Sequence, residues 1–124
     1  MDKVIFNLKR YWQIKDETVD LYEEIKAGRK TSEWRIASKH WYSRLLIPFE
    51  KTAIRYSGDI ELFADFTEYL KVHRAWFVVG YPKRSIPRLE ADIIALIYWN
   101  EKYSATLDIS QFEIKIANIN EVLA

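Results

Sequence analysis

The sequence predicts an α+β fold with a mostly β core, one main helix and short helical segments. Three observations carry this. The segments Ala75 to Val79, Leu89 to Trp99 and Gln111 to Asn118 are rich in the β-branched and aromatic residues that strands favour. One stretch, Asp16 to Lys26, instead repeats its apolar residues at helical spacing. A length of 124 residues suits one domain and is too short for two ordinary ones, so residues 1–124 are read as a single domain.

In chain order, Lys3 to Leu8 reads as a first, partly buried strand, and Lys9 to Lys15 connects it to the helix. Within that helix Val19, Tyr22 and Ile25 recur three apart, Asp16 serves as the N-cap, acidic residues crowd the first turn and Lys26 sits in the last. Gly28 ends it, because glycine takes the left-handed conformation that a helix C-terminus often needs. From Thr31 the period becomes two. Thr31, Glu33 and Arg35 then share an ionic face, and Ser32, Trp34 and Ile36 a largely apolar one, which directs Trp34 to the core.

His40 to Ile47 reads as a short helix or an irregular segment, stopped before Pro48. Thr52 to Tyr56 is a strand, Ser57-Gly58-Asp59 a turn, Ile60 to Phe66 a further strand, and Glu68 to Lys71 turns again. Ala75 to Val79 is apolar on both faces, as an interior strand is. Two prolines make Gly80 to Arg88 a loop. Leu89 to Trp99 is long enough to bend round a barrel, and Asn100 to Ser110 leads to Gln111 to Asn118, whose Phe112, Ile114 and Ile116 face one way. Trp76 and Trp99 are assigned to the core.

The chain has no cysteine, which excludes disulfides, thiol nucleophiles and cysteine-ligated metals. Its longest apolar runs fall short of the roughly 20 residues of a membrane helix, and Met1-Asp2-Lys3 lacks a signal-peptide layout, so a soluble, cytoplasmic protein is expected. No P-loop, Gly-x-Gly-x-x-Gly or nucleophile elbow is present, and His40 and His73 lack ligand spacing; no cofactor or metal is expected.

A net charge of +1 conceals segregation. Lys26 to Arg44 holds six basic residues against the single acid Glu33, and Lys71 to Arg88 holds five and no acid; the remainder carries −9. That predicts a basic patch with an acidic back, or two solvated segments on different faces.

The stretch Gly28-Arg29-Lys30-Thr31-Ser32-Glu33-Trp34-Arg35, a glycine, a basic pair, a hydroxyl residue and Glu-x-Arg opening a strand after a short helix, resembles the ASCH domain of the PUA-like superfamily. Ser57-Gly58-Asp59 leading into Ile60-Glu61-Leu62-Phe63 is similar to the Gly-Asp pair and apolar strand of that family. The resemblance implies a PUA-like barrel with a positively charged cleft suited to RNA or nucleotides. It also brings an alternative, since one branch of the family hydrolyses the amide of N4-acetylcytidine with a lysine, a threonine and a glutamate. Lys30 matches that lysine, and Glu33 stands where the threonine would be.

The candidate site therefore combines Lys30 and Glu33, the catalytic pair if the chain is an enzyme on RNA or a modified nucleoside, with nucleic-acid contacts from Arg29, Lys30, Arg35, Trp41, Tyr81, Lys83, Arg84 and Arg88. Lysine acts as base or nucleophile only when burial or like charge lowers its pKa, and Glu33 opposes that. Lys30 and Glu33 form an ion pair, or both contact a ligand, or Glu33 forms a structural bridge with Arg35 or Arg88. Glu90 and Asp92 share strand parity and are either a metal or acid/base pair or solvent-facing charges beside Arg88. Trp41, Tyr42 and Tyr81 are candidate stacking platforms. A third reading is a protein-interaction domain whose basic face meets an acidic partner.

Overall fold

A computed structural model of the chain describes residues 3–47, 60–80, 87–101 and 109–123. The element order is β1 (Lys3–Leu8), β2 (Tyr11–Ile14), β3 (Glu17–Asp20), α1 (Leu21–Lys26), β4 (Ser32–Ile36), α2 (Lys39–Leu45), β5 (Phe63–Asp65), a 3-10 turn at Thr67–Tyr69, β6 (Arg74–Val79), β7 (Arg88–Trp99) and β8 (Gln111–Val122). Mostly β, with two helices, the chain matches the expected α+β class. The main sheet runs β1-β6-β7-β8-β4, with β5 also on β7, and curls into a half-barrel. β1 lies parallel to β6; the other pairings are antiparallel.

Alternation builds one core on the inner face of this sheet. Val4, Phe6 and Leu8 from β1, Ala75 and Phe77 from β6, and Phe112, Ile114 and Ile116 from β8 point inward. On β7, Leu89, Ala91 and Ile93 are buried and then Leu96 and Tyr98, because the register shift between Ile93 and Ala95 puts an extra residue into β7 and exchanges which parity faces in; the shift between Glu90 and Asp92 puts its extra residue into β8 instead. Such bulges bend a strand, and the two 12-residue strands curve the sheet. α1 and α2 add Tyr22, Ile25, Tyr42 and Leu45 to the core. The Tyr22 hydroxyl donates to Glu121 at 2.8 Å and Lys26 pairs with Glu121 at 3.1 Å, tying α1 to the far end of β8.

Three expectations are corrected. The helix does not begin at Asp16: Lys9 to Asp20 is largely a hairpin, β2 against β3 with Trp12 opposite Val19, turning at Lys15 and Asp16, and only Leu21–Lys26 is helical. Lys15 takes a positive φ of 57° there, and Asp20, not Asp16, caps the helix by accepting from the Glu23 amide at 3.1 Å. Second, the faces of β4 are reversed. Glu33 pairs with Ile114 and Arg35 with Phe112, so the ionic residues share the core side, and Trp34 lies on the outside at 36 % exposure. Third, Trp76 and Trp99 are half-buried residues outside the core cluster; Trp99 sits between Trp34 at 6.2 Å and Phe63 at 5.1 Å.

The ambiguous segment before Pro48 is helix α2, and the strand expected over Ile60 to Phe66 is confined to Phe63–Asp65. β8 runs four residues past Asn118. The strand expected at Thr52 to Tyr56, the turn at Ser57 to Asp59 and most of the Gly80 to Arg88 loop lie outside the described residues. No described helix is long and apolar enough to cross a membrane.

Candidate functional site

The Gly28 motif is assembled by the end of α1. Gly28, at φ 77°, donates to Ile25, and the amides of Arg29 and Lys30 both reach the carbonyl of Glu24 at 3.0 Å, so the chain reverses within one turn and enters β4. Arg29 leaves the site: its guanidinium is held by Glu24 at 2.7 Å on the exposed flank of the helix. Lys30 turns the other way, its ammonium donating to the Ser32 carbonyl.

Glu33 and Arg35 follow on the core-facing side of β4. The Lys30 ammonium is 3.9 Å from Glu33 Oε2, and Arg35 Nε is 3.6 Å from Glu33 Oε1. The Glu33 side chain is 10 % exposed, and Oε2 accepts no hydrogen bond; Arg35 Nε donates none. Attraction is present at those separations, but hydrogen bonding at 2.7–3.2 Å is not, so a buried carboxylate oxygen and a buried guanidinium N–H are both left unsatisfied. Burial lowers the Lys30 pKa below its ordinary 10.5, opposed by Glu33 and aided by Arg35. The trio therefore offers an acceptor between two cations, with a lysine that gives up its proton more readily than a free one.

Arg35 also reaches across the fold. Its Nη2 donates to the Asn7 carbonyl on β1 at 3.0 Å, and its guanidinium lies 5.2 Å from the Phe6 ring and 5.3 Å from that of Trp41. Trp41 stacks on Phe6 at 5.2 Å and meets His40 edge-on, while Tyr42 is buried against Phe112 and offers no platform.

Arg88 does not join this group. Leu89 and Ala91 turn inward, so Arg88 and Glu90 stand on the outer face, where Arg88 pairs with Glu90 at 2.8 Å and covers Trp76 at 3.9 Å. Arg74 bridges Glu90 at 3.2 Å and Asp92 at 2.9 Å, and Asn118 donates to Asp92. Glu90 and Asp92 are thus spent on a charge ladder, and no group of metal-ligating side chains occurs among the described residues. Tyr81, Lys83 and Arg84 lie outside the described residues.

A cavity of about 620 Å³ that no sequence motif marks lies between β1 and α2, lined by Lys3, Arg35, His40, Trp41, Arg44 and Lys71 among others. Arg44 and Lys71 belong to the two basic segments, which was the only signal available. Their meeting depends on Lys71 donating its amide to the Leu45 carbonyl at the end of α2, a contact no local pattern encodes. Comparison with family models, with curated proteins and with solved structures finds no match.

Proposed function

We propose that the chain is an RNA- or nucleotide-binding module of the PUA-like, ASCH kind, reading a base edge with Glu33 between Lys30 and Arg35. The observation that carries this is the Glu33 Oε2 atom, buried and without a hydrogen bond while two cations stand 3.6 and 3.9 Å from the carboxylate. An unsatisfied buried acceptor costs free energy unless a ligand supplies a donor. Exocyclic amino groups of bases are such donors, and a carboxylate suits the N4 amino group of cytosine. Lys30 and Arg35, the two cations beside the carboxylate, favour an anionic ligand.

The test is binding of fluorescein-labelled oligocytidylate and oligouridylate 12-mers followed by anisotropy. The wild type is expected to prefer the cytidine oligomer, and Glu33→Gln to shrink that preference about tenfold, the size of one charge-assisted contact, with less effect on total affinity. Absence of RNA binding in the wild type, or a preference unaltered in the variant, rejects the reading.

A further inference from the structure

We propose that the groove between β1 and α2 is a phosphate-binding site that holds the phosphate of the same ligand whose base meets Glu33; this rests on the reading just given. The cavity, about 620 Å³, is lined by the cations Lys3, Arg35, Arg44 and Lys71 and by His40, with no carboxylate among the described residues that line it. Its volume falls within the range of small-ligand sites.

Four positive side chains around one cavity repel each other in a chain whose net charge is only +1. Of these, Arg35 has Glu33 at 3.6 Å, and away from the groove Arg10, Arg29, Arg74 and Arg88 all have carboxylates within 3.3 Å. Among the described residues, no carboxylate pairs with Arg44 or Lys71. The nearest organised contact of Arg44 is His40, whose Nδ1 lies 3.1 Å from Nη1. An arginine can only donate, so Nδ1 is the acceptor of this contact.

These donors come from β1, β4, α2 and the segment before β6, and so approach from several directions. That suits the tetrahedral array of phosphoryl oxygens better than the two coplanar oxygens of a carboxylate. Arg35 links the groove to the base-reading trio, since it lines the cavity and lies 3.6 Å from Glu33. The phosphate chemistry is shared by a nucleotide's terminal phosphate and by the diesters of an RNA backbone.

The experiment uses the full chain, the Arg44→Gln, Lys71→Gln double variant and Glu33→Gln. Both groove positions are exposed, so the double variant keeps its fold, checked by circular dichroism. Inorganic pyrophosphate, titrated calorimetrically, is expected to bind the wild type and to lose at least tenfold in affinity in the double variant, with Glu33→Gln binding no more weakly than wild type. Single-stranded RNA should lose about 1.4 from the magnitude of its log-log salt slope in the double variant, 0.7 per lost contact. Tighter binding of a 5′-phosphorylated than a 5′-hydroxyl oligomer assigns the groove to a terminal phosphate, and equal binding assigns it to the backbone. Pyrophosphate affinity equal in wild type and double variant, or tighter binding of hexaglutamate than of pyrophosphate, overturns the proposal. Pyrophosphate binding lost in the double variant without any RNA binding leaves the groove standing and removes the RNA reading. Base preference that depends on Glu33 with a salt slope unchanged in the double variant does the reverse.

Discussion

Glu33 and Arg35 occupy inward positions of β4 whose cross-strand partners are Ile114 and Phe112, where a purely structural strand would place apolar side chains. Burying a carboxylate there is tolerable because two cations accompany it, yet removing either cation leaves charge without adequate compensation. Lys30 is the weaker partner, since burial already disfavours its charged form. The folded chain therefore holds the Lys30 proton less tightly than the unfolded chain. Between the lowered value and the ordinary one near 10.5, the unfolded state binds more protons and stability rises with pH. Below that interval both states are protonated and the full desolvation penalty is felt. Urea unfolding of wild type and Lys30→Met from neutral pH to about 10.5 should show the wild type gaining on the variant as pH rises; a difference that is flat, or that falls, contradicts a depressed lysine. At this scale the sequence was informative about which residues belong together, since Lys30, Glu33 and Arg35 do converge. It misjudged the side they face, because an ionic face was assumed to be an outer one.

Elements with a buried face were legible: β1, β6, β7 and β8 each carry alternating or continuous apolar residues that end at the core, and their positions were anticipated within a few residues. The β2–β3 hairpin was not, for a physical reason. β2 is exposed along its whole length, with Tyr11 at 57 % and Ile14 at 54 %, so no period of two is imposed by burial, and Val19, Tyr22 and Ile25 imitated a longer helix. Asp20 is the joint between hairpin and helix: it pairs with Arg10 at 3.0 Å, lies opposite Tyr11 and caps Glu23. A six-residue helix is far too short to persist alone, so its start depends on this one carboxylate and on the packing of Tyr22 and Ile25. Asp20→Ala should destabilise the protein by about 1–2 kcal/mol in urea unfolding, mostly through the lost cap, whereas Asp20→Asn, which keeps the cap and loses only a partly exposed ion pair, should cost under about 1 kcal/mol. Equal losses in the two variants would place the energy in the ion pair instead.

At the scale of the whole molecule, β1 and β4 are the two ends of the main sheet, and a half-barrel leaves them facing each other with no ladder between them among the described residues. Nothing local to Arg35 in the sequence indicates that its partner is the Asn7 carbonyl 28 residues earlier, because that contact exists only once β6, β7 and β8 have carried the sheet round. One side chain then serves as the clasp. Arg35 donates to β1 through Nη2, lies against Phe6 and Trp41, and faces Glu33 through Nε, a combination that depends on a planar guanidinium with several donors. Lysine keeps the charge and much of the stem but has no fork with which to meet β1 and β4 together. Arg35→Lys should therefore lower stability by about 1–3 kcal/mol, the range for a charged hydrogen bond and its desolvated partner. Hydrogen exchange should locate the loss: amides of Lys3–Leu8 and Ser32–Ile36 should exchange faster, while the β7–β8 centre, the longest pairing in the sheet, should keep its protection until global unfolding. Uniform acceleration across all strands would mean that Arg35 supports the core as a whole and is not a clasp between its ends.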